Sequence, residues 1–223
     1  EIQTDAARLV RRLRQAGLRI TVAESCTGGL LASTLTDIAG ASDWFDQSWV
    51  TYANDAKTRV LGVSPDTLER KGAVSAEVAI QMASGALARS TADIALSVTG
   101  IAGPGNVSDK KLGLVYVGAA SGDWKTAKRT IIGGTRAENK LGFVHFAIRV
   151  AIENMDAAVK RKEVRAAEDE KQREAIEAER EARQINRAAK EAVTRLDTAW
   201  QETAWSPGNE PNPDEDLGDD VEW

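Results

Sequence analysis

Two side chains that could act as nucleophiles, Ser25 and Cys26, stand side by side in the stretch AESCTGG. The surrounding pattern predicts the end of a strand followed by the start of a helix. Ligands bind at such junctions in α/β sheets, because free backbone N–H groups and the helix dipole favour negative charge there. Gly28 and Gly29 would let the backbone come close to a ligand. These residues alone fit either a catalytic site or a plain helix start, capped by Ser25 or Thr27.

A hydroxyl nucleophile needs a base, and the sequence offers two candidates. The single histidine, His145, lies in the apolar stretch GFVHFAI, which predicts a core residue on a buried helix face and disfavours a Ser–His triad. Lysine can act as the base instead if desolvation lowers its pKa. Lys57 follows Tyr52 and Asn54 in VTYANDAK, where a predicted strand gives way to a helix. An ordinary surface lysine fits the same spacing.

A third stretch, SVTGIAGPGNVSDKKLG, runs from a buried strand into a glycine-rich loop, with Thr99 at the mouth of the loop. Backbone amides in such a loop could hold a phosphate or an oxyanion. A plain connecting loop is the alternative, although four glycines and one proline indicate a specific backbone shape.

The elements that must position these residues alternate between strand and helix along residues 1–155. Hydrophobic periodicity predicts helices over 4–16, 28–38, 78–88 and 136–155, a helical stretch ending near 61, and strands over 18–23, 47–52, 93–98, 114–119 and 125–132. The last two strands are predicted to form an antiparallel hairpin. The final helix is predicted to bury Leu141, Val144, Ile148 and Ile152. Together these elements predict an α/β sandwich with a mixed sheet.

The composition is that of a globular protein, with 42% hydrophobic and 28% charged residues and a net charge of −5. The single cysteine, Cys26, excludes an intrachain disulfide, and no Cys-rich zinc pattern is present. No apolar run reaches the roughly 18 residues of a membrane span, and the first residues lack the layout of a signal peptide. A cytoplasmic protein that binds neither nucleic acid nor membrane is therefore expected.

The C-terminal third differs in composition. Residues 156–200 lack glycine and proline and are rich in Ala, Glu, Lys and Arg, which predicts an exposed helix supported by opposite charges four residues apart. A coiled-coil or docking helix is the alternative, although its apolar positions are sparse for a heptad seam. Residues 201–223 hold eight acidic and no basic side chains, and they predict a disordered tail. Trp205 and Trp223 bracket this tail and suggest a peptide that binds a protein partner.

Several stretches, taken in order, carry a resemblance to a known family. AESCTGGLLASTLTDIAGAS, VTYANDAK, GAVSAEVA and VTGIAGPG resemble the CinA C-terminal domain family, the bacterial nicotinamide-nucleotide amidases or NMN deamidases. The resemblance covers roughly residues 4–155 and predicts such a domain over 1–155. The charged helical extension over 156–200 and the acidic tail over 201–223 are not part of the family pattern. It implies a three-layer α/β/α sandwich that forms a homo-oligomer. It also implies hydrolysis of the carboxamide of nicotinamide mononucleotide, without metal or cofactor.

The same resemblance assigns roles to individual residues. It implies that Ser25 is the nucleophile, that Lys57 is its base and that Tyr52 is a third catalytic residue. The substrate-binding residues that it implies are Thr27, Gly28, Gly29, Asn54, Thr99, Gly100, Gly103 and Arg136. Among these, Arg136 is the expected phosphate partner, since a guanidinium binds phosphate in two places.

The sequence departs from the family pattern around Arg136. Thr135 stands where an acid is usual, and a second arginine is replaced by Asn139 or Lys140. These departures bear on phosphate binding and turnover. With the extension they motivate a second hypothesis, a non-catalytic nucleotide-binding adaptor whose extension recruits a protein partner. A third hypothesis, a thiol hydrolase using Cys26, is disfavoured because the thiol lacks a His or Asn partner.

Overall fold

The computed structural model describes the backbone of residues 1–104 and 110–203, with side chains up to residue 196. Residues 204–223, which make up most of the tail predicted over 201–223, lie outside the described residues. Residues 105–109 of the glycine-rich loop also lie outside them. The chain divides into two compact units, the first spanning Glu1–Lys162 and the second beginning at Glu163. The domain boundaries derived from the sequence stay a prediction.

A five-stranded mixed sheet forms the centre of the first unit. Its strands are β1 (Ile20–Glu24), β2 (Phe45–Val50), β3 (Ile94–Gly100), β4 (Leu114–Ser121) and β5 (Lys125–Ile131), in the spatial order β2-β1-β3-β4-β5. The strand β1 pairs in parallel with β2 and β3, whereas β3, β4 and β5 pair in antiparallel fashion. The register places Glu24, the last residue of β1, between Val50 and Val98. The predicted mixed sheet and its terminal hairpin are therefore confirmed.

The described part of the chain contains six α-helices, which connect and cover these strands. They are α1 (Ile2–Ala16), α2 (Leu30–Thr36), α3 (Asn54–Leu61), α4 (Pro65–Lys71), α5 (Ala76–Ala88) and α6 (Arg136–Thr203), with a short 3-10 helix at Ala41–Asp43. Sequence periodicity missed α4, a seven-residue helix that begins at Pro65 and is capped by the Ser64 side chain. It also divided α6 at residue 155, although the segment beyond Gly142 contains no helix breaker.

Large apolar side chains fill one face of the sheet. Strand residues such as Val22, Leu96 and Val117 pack there in one buried cluster with α1, α2 and the N-terminal part of α6. Helix α6 contributes Phe143, Val144, Ala147, Ile148 and Ile152 to this cluster. The prediction that Leu141 is buried was wrong, since 46% of this residue is exposed. The cluster takes the neighbouring Phe143 instead.

Small residues on the other face let α5 lie very close to the sheet. Ala23, Ala95 and Ala120 of the strands pack there against apolar side chains of α3, α4 and α5. A Cβ atom at Gly118 would stand 2.2 Å from the carbonyl oxygen of Ala79, so that only glycine fits at this contact. Helices on both faces of one sheet confirm the three-layer α/β/α sandwich.

The second unit consists, within its described part, of the helical residues from Glu163 to Thr203. Every described side chain of this helix is exposed, including Val164, Ile176 and Leu196. Arg183 pairs with Glu179 at 2.6 Å, one turn away, and a second pair of this kind follows along the helix. The exposed charged helix predicted from the composition is present. No helix of the described residues has both the length and the apolarity needed to cross a membrane.

Candidate active site

Ser25 stands at the C-terminal end of β1, where the strand turns into α2. Its backbone N–H donates to the Val98 carbonyl at 3.0 Å, so the turn starts from the centre of the sheet. The Gly28 N–H donates back to the Ser25 carbonyl at 3.2 Å. Gly28 and Gly29 have φ values of +64° and +96°, a left-handed backbone that glycine adopts without steric cost. The two glycines therefore shape the turn that presents Ser25.

Lys57 is the residue that faces the Ser25 hydroxyl. It lies in α3, only 1% of it is exposed, and its Nζ is 3.0 Å from the Ser25 Oγ. The same Nζ donates to the carbonyl oxygens of Thr51 at 2.9 Å and Tyr52 at 2.8 Å. Lys57 is therefore a buried amine held by two backbone acceptors beside a serine hydroxyl, and it is not the surface lysine that its spacing also allowed.

The surroundings of Lys57 make its amine a usable base. Burial disfavours the charged ammonium and lowers the pKa of Lys57 to about 8, against a small opposing effect of Cys26. A neutral amine has two N–H donors and one lone pair. When the carbonyls of Thr51 and Tyr52 accept the two N–H groups, the lone pair is left for the proton of Ser25.

Cys26 is much less suited to act as a nucleophile. It is buried among apolar side chains, and this burial raises the pKa of its thiol to about 12. The reactive thiolate is therefore a very minor species at neutral pH, which argues against the Cys26 thiol hydrolase.

A cavity of about 430 Å³ opens beside the two side chains. Its described lining comprises Ser25, Cys26, Tyr52, Asn54, Lys57, Gly72, Ala73, Val74, Thr99, Gly100, Ile101, Ala102, Gly103, Pro104, Lys110, Leu112 and Arg136. The three stretches singled out in the sequence thus meet in one place. Tyr52 lines the cavity with a largely exposed side chain, and its backbone carbonyl holds Lys57.

One wall of the cavity was not foreseen from the sequence. The turn between α4 and α5, residues 72–74, forms this wall. The Thr99 hydroxyl donates to the Ala73 carbonyl at 2.8 Å, and Lys110 Nζ donates to the Val74 carbonyl at 2.6 Å. Thr99, expected to bind substrate, therefore also holds this wall in place.

The N-terminus of α6 places a positively charged side chain, Arg136, at the rim of the cavity. Arg136 lines the cavity with an exposed side chain and lies directly over Gly103, where a Cβ atom would stand 2.5 Å from its Nε. The buried Asn139 donates from Nδ2 to the carbonyl oxygens of Ala102 at 2.9 Å and Gly134 at 3.1 Å. Asn139 therefore links the glycine-rich loop to α6 by hydrogen bonds. Its uncharged amide does not supply the positive charge of a second arginine.

Three of the expected substrate-binding residues do not belong to the described lining of the cavity: Thr27, Gly28 and Gly29. The Gly29 amide donates to the Glu24 carboxylate at 3.0 Å, and the Gly28 amide is used by the turn itself. The free N–H groups predicted at this helix start are thus partly occupied by the chain's own carboxylate.

His145 is neither a core residue nor part of this cavity. It is half-buried on α6, and its Nε2 is 2.8 Å from Oδ2 of Asp5 on α1. The prediction of a buried apolar environment was wrong, because the residue faces a carboxylate on the neighbouring helix.

Comparison with known proteins identifies the family. A sequence model of the CinA C-terminal domain matches residues 2–155. A CinA-like protein from Chlorobium limicola is 52% identical over 147 residues, which cover 63% of this chain and 34% of that protein. A protein named nicotinamide-nucleotide amidohydrolase PncC, from Enterobacter agglomerans, is 48% identical over 143 residues, covering 63% of this chain and 87% of the relative.

A solved structure agrees with this result. The crystal structure of the competence/damage inducible protein CihA from Agrobacterium tumefaciens is 44% identical and superposes with a TM-score of 0.66, covering 68% of this chain and 94% of that one. The chain belongs to the CinA C-terminal domain family. It spans about a third of the length of several curated relatives that it matches.

Proposed function

We propose that this protein is a nicotinamide-nucleotide amidase that converts nicotinamide mononucleotide into nicotinic acid mononucleotide and ammonia, as a step of pyridine nucleotide salvage. The observation that carries the proposal is the 3.0 Å contact between Lys57 Nζ and Ser25 Oγ beside the cavity. The name of the relative from Enterobacter agglomerans supports the same activity. The cavity volume falls within the range of about 300–1,000 Å³ that is usual for small-molecule sites.

The first half of the reaction forms an acyl-enzyme. Lys57 takes the proton of the Ser25 hydroxyl while Oγ attacks the carboxamide carbon, which gives a tetrahedral intermediate. The resulting Lys57 ammonium then gives a proton to the amide nitrogen as the C–N bond breaks. Ammonia leaves, and the nicotinoyl group remains as an ester of Ser25.

The second half repeats these steps with water. Lys57, neutral again, takes a proton from a water molecule that attacks the ester carbonyl. When the C–O bond to Ser25 breaks, the serine regains its proton from Lys57 and the carboxylic acid product leaves. One buried lysine thus serves as base and acid in both halves.

The remaining charges of the substrate need their own partners. Arg136 at the rim is suited to the phosphate, because a guanidinium can donate two parallel hydrogen bonds to it. The oxyanion of the intermediate requires N–H donors near Ser25. Since the amides of Gly28 and Gly29 are already engaged and Thr27 lies outside the described cavity lining, the amide of Cys26 is the candidate within this turn.

The proposal is tested by measuring ammonia release from nicotinamide mononucleotide with the full chain. We expect turnover that falls by about 10³-fold or more in Ser25→Ala, because the variant has no nucleophile. The matched control is Ser42→Ala, which removes an exposed hydroxyl outside the cavity lining and should leave the rate unchanged.

The other outcomes are equally informative. Turnover that survives in Ser25→Ala would contradict the assigned nucleophile. Binding of the nucleotide without any turnover by the wild-type protein would favour the adaptor hypothesis, in which the exposed charged helix recruits a partner.

A further inference from the structure

Glu24, the residue before the nucleophile, is buried in an unusual way. It is the last residue of β1 and fully buried, although glutamate is almost never fully buried unless its charge is paired. No cation forms an ion pair with it among the described residues. Its carboxylate instead accepts three backbone N–H groups, from Gly29 and Leu31 at 3.0 Å and from Ala32 at 2.9 Å.

These three amides belong to the start of α2. The first N–H groups of a helix have no partner within the helix, and the N-cap of α2, Gly29, has no side chain to accept them. The Glu24 carboxylate takes that place and also complements the positive end of the helix dipole. Between Glu24 and Gly29 lie the four residues of the turn that presents Ser25. The Glu24 side chain therefore holds the two ends of this turn together, because its backbone belongs to β1 and its three hydrogen-bond donors belong to the start of α2.

The backbone of Glu24 reaches the other half of the catalytic pair. Its carbonyl accepts the Thr51 N–H at 2.8 Å, and the Thr51 carbonyl in turn accepts Lys57 Nζ at 2.9 Å. The serine turn and the acceptor that holds the lysine are thus both attached to one residue of β1.

We propose that Glu24 is a positioning residue that sets the distance between Ser25 and Lys57 for the proposed amidase reaction. This proposal rests on the proposed function and does not require Glu24 to touch the substrate. Proton transfer requires the hydroxyl and the amine to lie within about 2.6–3.2 Å. A displacement of about 1 Å can cost about 100-fold in rate. A loosened turn should therefore slow the chemical step without weakening substrate binding.

The test is the variant Glu24→Gln in the full chain. A glutamine side chain has the same size, but its NH₂ group would face at least one of the three N–H donors. We expect kcat for nicotinamide mononucleotide to fall about 10- to 100-fold with KM within about twofold of the wild type. The matched control is Ser64→Ala, which removes the side-chain cap of α4 and lies outside the cavity lining. It should keep kcat even if it melts at a lower temperature.

A second measurement does not depend on the substrate. The rate at which a fluorophosphonate labels Ser25 reports the reactivity of the serine, and we expect it to fall in Glu24→Gln and to be unchanged in Ser64→Ala. If the wild-type protein releases no ammonia, the proposed function fails, and the labelling rate still decides the role of Glu24.

Several outcomes would overturn the role of Glu24. These are a wild-type kcat and labelling rate in Glu24→Gln, a loss expressed in KM alone, or an equal loss of kcat in Ser64→Ala. Should Glu24→Gln fail to fold, Glu24→Asp is measured in the same way, since its shorter carboxylate keeps the charge but cannot reach all three amides. Reduced kcat with intact folding then supports the role, and wild-type kcat overturns it.

Discussion

The cavity and the charged helix of the second unit contain the same kinds of side chain in opposite environments. Lys57 is almost completely buried, and its Nζ lies within hydrogen-bond distance of three oxygens, two of them backbone carbonyls. Lys171 is an exposed residue on the helix, and the ion pairs described there, such as Arg183 with Glu179, are also exposed. Charges in the helix are solvated, whereas the amine in the cavity has exchanged water for fixed protein partners.

This difference shows where the chemistry of a charged residue comes from. Exposed ion pairs are typically worth less than about 1 kcal/mol, because water and salt screen them. Burial removes that screening and shifts the pKa of an amine toward neutrality, where the amine can exchange protons. The environment, and not the residue type, separates a candidate base from a solubilising charge.

The largest expected effect comes from removing each lysine in turn. Lys57→Met should lower kcat for ammonia release about 10²- to 10⁴-fold, the usual contribution of a general base. Lys171→Met should leave the rate within about twofold of the wild type. Steady-state kinetics on both variants checks this contrast. A retained rate in Lys57→Met would show that another group activates Ser25.

A smaller effect is expected from truncating a leucine in each region. Leu96 is fully buried in the sheet, whereas Leu196 on the charged helix is 67% exposed. Leu96→Ala should lower the free energy of unfolding by about 2–5 kcal/mol, since it leaves a cavity in the core. Leu196→Ala should change it by no more than about 0.5 kcal/mol. Urea unfolding measures both. A large loss in Leu196→Ala would mean that the helix is covered by a partner in solution.

The pH dependence gives the smallest but most specific effect. In the proposed mechanism the neutral amine of Lys57 is the active form, and burial lowers its pKa to about 8. The value of kcat/KM should therefore rise about tenfold per pH unit below 8 and level off above it. Because the amine is buried, the pH at which kcat/KM levels off should hardly change with added salt. A buried base would be contradicted if the apparent pKa of this pH profile shifted with salt, or if it lay near the usual lysine value of about 10.4.

Much of the fold could be predicted from the pattern of apolar residues. The central strands β1, β3 and β4 are mostly buried and stand out in the sequence as apolar runs. The edge strands β2 and β5 contain no buried residue, and β5 was recognised with the help of the turn that joins it to β4. Helix α4 escaped because seven residues make barely two turns. Leu141 was wrongly predicted to be buried, because periodicity alone cannot show that Phe143 packs into the buried cluster in its place.

The candidate site was predictable only where its residues carry reactive side chains. Ser25 and Lys57 are 32 positions apart, and the parallel pairing of β1 and β2 brings them together. The wall at residues 72–74 contributes only small or apolar side chains, which give no chemical signal. The proposed role of Glu24 could not be foreseen because its partners are backbone amides, which look alike at every position in a sequence.

Cys26 gives the chain a practical property for spectroscopy. It is the one cysteine among 223 residues, and burial with a pKa of about 12 makes it slow to react with maleimides or iodoacetamides. A cysteine introduced on the exposed charged helix would be labelled much faster, without first replacing the native thiol. The folded protein is therefore ready for site-specific attachment of a fluorophore or spin label. Labelling of Cys26 itself would then report the opening of its surroundings.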